Sequence, residues 1–292
     1  MSLIIDCHTH IFPRETREDR EAFCSKDEGF AAIYGNPKAR MAGVEELIVA
    51  MDEAGVERSV VCGFSWGHPE LCVLHNQYLL EIGAQYPSRL IVFISLLVTN
   101  PEWSARELER GMKAGARGVG EIAFYHREMT FQDVEAMKPT LGLMEQKGIP
   151  LLLHTNETLG HPYPGKGMTR LERFYDLILA FPRLPFLLAH WGGGLPFYEL
   201  MPEVVRTMSN VYYDTAASPF LYSKKIYPIV SQMVGPEKIL FGSDFPLISP
   251  HRYFKELKES GLATEDQEKI LGLNIARLLR LPMGANECGT PF

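Results

Sequence analysis

Leu3-Ile4-Ile5-Asp6-Cys7-His8-Thr9-His10 opens with a short apolar run and closes on two histidines one residue apart. In an extended strand successive side chains alternate faces, so His8 and His10 share a face while Cys7 and Thr9 point away. Two imidazoles at that spacing can grip one cation. The pattern of an apolar run followed by a metal-ligating residue recurs along the sequence. Glu121 lies in Gly118-Val119-Gly120-Glu121-Ile122, and His154 follows Pro150-Leu151-Leu152-Leu153. His190 follows Phe186-Leu187-Leu188-Ala189, and Asp244 follows Ile239-Leu240-Phe241-Gly242-Ser243. A parallel barrel places its catalytic groups at the carboxyl ends of its strands. His8, His10, Glu121, His154, His190 and Asp244 therefore form one candidate metal site.

Working outward, strand-like runs cover 3–8, 58–63, 90–97, 118–123, 150–154, 185–190, 211–214 and 239–244. They are continuous apolar runs, as expected for strands covered on both faces. Helical patterns fill the intervals. In 44–54, Val44, Leu47, Ile48 and Met51 share a face and Gly55 follows as a stop. Further helices are read at 71–86, 101–114, 131–147 and 171–180, and within 196–209, 220–234, 252–260 and 264–279. Thr264-Glu265-Asp266-Gln267 has the form of a capping box. Eight strand–helix units predict an α/β (β/α)₈ TIM barrel. An open sheet gathers its site at one switch point, whereas these ligands converge only if the sheet closes. No repeat or linker divides the chain, so one domain over 1–292 is expected, with long first and fifth βα loops (12–42 and 155–168). Those loops are expected to wall or lid the site.

The chain has 292 residues, 46% of them hydrophobic, and a net charge of −7. That acidity argues against nucleic acid or an anionic membrane as partner. No apolar stretch reaches membrane-spanning length, and no basic-then-apolar leader precedes the first strand. Five scattered cysteines (7, 24, 62, 72 and 288) form no CxxC pair. A cytoplasmic protein with free thiols and a small-molecule substrate is the expectation, with a homo-oligomer left open.

Each motif has a plainer reading. A strand histidine can be a hydrogen-bonded core residue, but four with two acids at equivalent strand ends point to a metal. Glu121, in an apolar strand, needs a metal or an arginine to compensate its buried charge. Gly118-Val119-Gly120-Glu121-Ile122-Ala123 spells GxGxxA, a dinucleotide fingerprint, but inside a strand instead of at a helix start, so it is a decoy. Gly192-Gly193-Gly194 is either a close backbone approach or a turn. Asp214-Thr215 reads as support for the ligands, and Tyr125 and His161 as weaker pocket candidates. His68, His75, His126 and His251 read as surface histidines.

With His8-Thr9-His10, His154, His190 and Asp244 in place, the chain resembles the amidohydrolase superfamily, in particular its amidohydrolase-2 branch. Leu240-Phe241-Gly242-Ser243-Asp244-Phe245-Pro246 and Asn274-Ile275-Ala276-Arg277-Leu278-Leu279 agree with that resemblance. It implies that His8, His10 and Asp244 bind a first metal. In mononuclear members His154 would also be a ligand and His190 an acid–base group, and several such members are decarboxylases of carboxylated rings. In binuclear relatives a glutamate on the fourth strand bridges two metals, and Glu121 resembles it.

Glu121 pulls the expectation to a metal-dependent hydrolase that cleaves an amide, ester or lactone. One or two divalent ions, zinc foremost, would lower the pKa of bound water to about 7. Asp244 would orient and deprotonate that water, the metal, helped by His190 where it is free, would polarise the scissile carbonyl, and arginines of the first long loop, Arg40 among them, would hold a substrate carboxylate. The alternatives are a single-metal non-oxidative decarboxylase with His190 as acid, and a barrel that binds metal without catalysis.

Overall fold

The computed structural model describes residues 3–97 and 99–282. Eight parallel strands follow one another in sequence order. They are β1 (Ile5–Thr9), β2 (Arg58–Cys62), β3 (Leu90–Ile94), β4 (Gly118–Ile122), β5 (Leu151–Leu153), β6 (Phe186–Leu188), β7 (Val211–Asp214) and β8 (Ile239–Leu240). Backbone bonds close β8 on β1: Cys7 N to Phe241 O at 2.8 Å, Asp244 N to His8 O at 2.9 Å and His10 N to Phe245 O at 2.7 Å. The fold is a single-domain (β/α)₈ barrel.

Its two apolar layers are separate. Ile5, Cys7, Val60, Cys62, Ile91, Phe93, Leu152, Leu187 and Leu240 fill the barrel interior, closed by Ile275, Ala276 and Leu279. Residues one step along, such as Val61, Val92, Leu153, Leu188 and Phe241, pack outward on the helices. Both faces being buried explains why the strands read as unbroken apolar runs. Each fully buried aliphatic or phenyl side chain contributes about 1.5–3 kcal/mol by leaving water.

Helices Val44–Ala54, Phe131–Lys147 and Leu171–Ala180 occupy the ranges read from their periodicity. The first two end on glycines in left-handed geometry, Gly55 and Gly148. Other elements differ from the sequence reading. Segment 12–42 carries three short helices, Arg14–Glu18, Arg20–Lys26 and Glu28–Tyr34. The expected capping box at Thr264 does not form; the reciprocal pair occurs at Thr130 and Asp133. The 264–279 run is interrupted by a π-turn at Lys269–Leu273. Strand β8 stops at Leu240, because the next residues bond to β1 and to Ile270 O. The four described cysteines are free, and Cys288 lies outside the described residues. Among the described residues no helix is long and apolar enough to cross a membrane.

Candidate metal centre

Strand β1 delivers His8 and His10 to the carboxyl end of the barrel. The pairing of β1 with β2 shifts register between Asp6 and Thr9. Simple alternation breaks there: Cys7 packs in the barrel interior, yet both histidines turn to the mouth, with their Nε2 atoms 3.0 Å apart. Asp6 pins this bend by accepting from His8 N at 3.2 Å and Ser243 N at 2.9 Å. Burial pushes the Asp6 carboxyl up to about 7.

Gly242 permits the approach of β8, since a Cβ there would lie 2.9 Å from the Cβ of His8. Two residues on, Asp244 sits at φ 58° and His190 at φ 56°, a left-handed geometry that costs non-glycine residues about 1 kcal/mol. Both are held there by the fold. His190 N donates to Asp214 Oδ1 at 2.8 Å, and Asp244 N donates to His8 O. The glycine triplet continues the left-handed run, and Gly193 lies against the Asn156 carbonyl, where a side chain has no room. The close approach is thus to the protein's own chain.

All six sequence-predicted residues come together. His8, His10 and Asp244 form one triad, and Glu121, His154 and His190 a second. Asp244 Oδ1 lies 3.9 Å from His8 Nε2 and 3.7 Å from His10 Nε2. Glu121 Oε1 lies 3.7 Å from His8 Nε2, 2.9 Å from His154 Nδ1 and 3.8 Å from His190 Nε2. Glu121 thus links the triads.

Hydrogen bonds on the outer edges fix the tautomers, which tests the fit to a cation. His8 Nδ1 lies 2.7 Å from Asp214 Oδ2, His154 Nε2 2.8 Å from Gly165 O and His190 Nδ1 3.0 Å from Ala216 O. Each partner is an acceptor, so each of those nitrogens carries the proton and the opposite nitrogen turns a lone pair inward. Inward-facing lone pairs, met by two carboxylates, repel unless a positive charge lies among them. His10 Nδ1 is buried without a hydrogen-bond partner among the described residues. The donor set is the mixed imidazole–carboxylate type that divalent ions take.

Without an ion, the same carboxylates draw a proton to the site instead. Burial opposes protonation of His8, but the Asp214, Glu121 and Asp244 carboxylates outweigh it and push its pKa up to about 10. Burial also works against the Glu121 charge, yet His154 and His8 hold its carboxyl well below the usual range. His154 is shifted up, Glu121 prevailing over burial.

Above this floor lies a cavity of about 550 Å³. Tyr34, Phe64, Tyr125 and Phe220 supply aromatic walls, with Lys38, Arg40 and His161 also lining it. The first and fifth βα loops provide much of this lining, and Gly165 abuts Ile33. Arg14, Arg17 and Arg20 are elsewhere, bonded to Glu18, Glu46 and Asn36 O. Tyr125 donates to Glu121 Oε2 at 2.9 Å and stacks on Phe64.

His75, read from sequence as a surface residue, is fully buried and corrects that reading. It stacks on Phe12, donates through Nε2 to Ile11 O at 2.8 Å, and accepts at Nδ1 from Phe64 N and Trp66 Nε1. The cue was present, because Leu71, Cys72, His75 and Leu79 share one helix face. The wall residues Tyr34 and Phe64 carried no sequence signal.

The chain belongs to the amidohydrolase family, whose pattern it matches over residues 5–281. It is 24% identical over 252 residues to gamma-resorcylate decarboxylase of Rhizobium radiobacter, covering 70% of this chain and 75% of that protein. Its fold is similar to 5-carboxyvanillate decarboxylase LigW from Sphingomonas paucimobilis, with TM-score 0.79, 17% identity and coverage of 97% and 100%. It is also similar to a dihydroxybenzoic acid decarboxylase from Polaromonas sp. with bound manganese and the inhibitor 2-nitroresorcinol. There the TM-score is 0.69, the identity 19% and the coverage 96% and 98%.

These likenesses overturn the expected hydrolase. Glu121 carried that expectation, and a carboxylate on the fourth strand does not select water attack: here it accepts from Tyr125 and pairs with His154. Zinc likewise gains no support, since the bound ion of the Polaromonas protein is manganese.

Proposed function

We propose that the protein is a metal-dependent, non-oxidative decarboxylase of a hydroxylated aromatic carboxylic acid. The observation that carries this reading is the cavity itself. Aromatic walls stand over a floor of inward-facing imidazole lone pairs and carboxylates, a shape for a flat ring whose acidic end meets a cation. The kinship with a gamma-resorcylate decarboxylase supports it.

His8, His10 and Asp244 would hold the ion, manganese in the first instance, with His154 near it. When bound, the ion fixes the substrate's oxygens and draws off negative charge. The protein's residues do the rest. Phe64 and Tyr125 hold the ring plane, and the apolar walls exclude water around it. His190, a lining residue of the cavity whose Nε2 lies 3.3 Å from His154 Nδ1, delivers a proton to the ring carbon that bears the carboxylate. The bond from that carbon to the carboxylate then breaks, its electron pair returns to the ring and CO₂ leaves. One proton is consumed for each CO₂ released, so the step balances without an oxidant.

The test is manganese-loaded protein incubated with 2,6-dihydroxybenzoate and with carboxylated methoxyphenols, following CO₂ and the decarboxylated ring. Stoichiometric CO₂ from at least one acid, lost in His190→Asn, is the expected result. No CO₂ from any hydroxylated aromatic acid would end the proposal.

A further inference from the structure

At the opposite, amino-terminal face of the barrel, a second cavity of about 420 Å³ lies among the starts of β2, β3 and β4 and residues 280–282. Arg58, Arg117 and Arg280 all line it, and among the described residues no acidic side chain does. This is unusual in a chain of net charge −7. Neighbouring Arg89, by contrast, is met by Asp52 at 2.7 Å.

Helix ends at this face offer carbonyls that attract cations, and Arg117 donates to Leu279 O at 2.8 Å in that way. That role does not account for the other two arginines. Arg58 Nε is buried without a hydrogen-bond partner among the described residues. Arg280 ends helix Asn274–Leu278 at φ 50°, with Leu281 N bonding back to Ala276 O at 2.9 Å. That is the helix-ending position glycine fills at least cost. Here the chain keeps a guanidinium at the cavity instead. The remaining walls are apolar, Leu80, Leu90 and Pro282 among them.

We infer that this cavity is a binding site for a small organic anion. The carboxylate or phosphate head would be held by Arg58 and Arg280, and the apolar body would lie against Leu80 and Leu90. Guanidinium groups suit such planar or tetrahedral oxyanions because they donate two parallel hydrogen bonds. The inference is independent of the reaction at the other face.

Calorimetric titration of the full-length, metal-loaded protein tests it, with phenyl phosphate, benzoate, inorganic phosphate and phenol as probes. Saturable binding of phenyl phosphate or benzoate is expected, at least tenfold tighter than phosphate or phenol alone. The preferred head distinguishes a phosphorylated ligand from a carboxylic acid. Arg58→Gln and Arg280→Gly should each weaken it at least tenfold while turnover at the metal centre stays within twofold of the parent. Glycine at 280 suits the local backbone, so that variant separates ligand binding from folding and decides the question by itself if Arg58→Gln does not fold. Absence of saturable binding, or wild-type affinity in the variants, would overturn the inference.

Discussion

His8 Nδ1 and Asp214 Oδ2 lie 2.7 Å apart, both fully buried, and this contact joins the end of β7 to the metal-binding end of β1. Asp214 also accepts from His190 N and Ala216 N through its other oxygen. One carboxylate therefore sets the His8 tautomer and the backbone position of His190. Asp214→Asn keeps the shape but removes the charge that fixes the tautomer. The expected outcome is a metal affinity about 10–100-fold weaker, read by competition with a chelating dye. An unchanged affinity would remove Asp214 from its supporting role.

Asp244 is partly exposed to the cavity, its side chain 17% accessible, and it faces both His8 and His10. Asp244→Asn removes the charge of a proposed ligand without opening a void. Turnover should fall by about 10³ or more, a loss of about 4 kcal/mol in transition-state stabilisation. The melting temperature of the metal-free protein should move little. Substantial residual turnover would show that Asp244 is dispensable.

Much of this is legible in the sequence. The strands were visible because both faces of each are buried, leaving unbroken apolar runs such as Leu151-Leu152-Leu153. The six site residues were visible because each follows such a run. The reaction was not, because two histidines and an aspartate at strand ends suit water attack and the proposed ring decarboxylation alike. What discriminates is the cavity wall, and Tyr34 reaches it from a short helix in a segment of mixed charge with no dominant period. The glycine triplet stayed ambiguous because its neighbour, the Asn156 carbonyl, is remote in sequence. The aromatic cluster of Phe12, Phe30, Phe64 and Trp66 that roots the first loop is non-local in the same way.

His75 gives the fold a pH dependence separable from the chemistry. Burial pushes its pKa down to about 4 from the ordinary 6.5. Between those values the unfolded chain takes up a proton that the folded chain refuses, so stability rises with pH across pH 4 to 6.5. The contribution is intact above pH 6.5 and lost as pH falls to 4, by about 3 kcal/mol. His75→Gln can keep one donor and one acceptor without titrating. Denaturant unfolding of parent and variant should therefore diverge with pH, the parent losing about 3 kcal/mol more between pH 7 and pH 4. Parallel curves would contradict a neutral, buried His75.

Metal content separates the two uses open to the second triad. If Glu121, His154 and His190 hold a proton for the ring carbon, one divalent ion per chain suffices, seated among His8, His10 and Asp244. Elemental analysis of protein purified without chelator should then give about one ion per chain. Glu121→Gln should retain that ion while CO₂ release drops, because the variant loses the charge that draws a proton to His154. Removing the ion with chelator should abolish turnover, and manganese should restore it. Two ions per chain, one of them lost with Glu121→Gln, would mean that a cation and not a proton balances the second triad, and the source of the ring proton would have to be sought at another group.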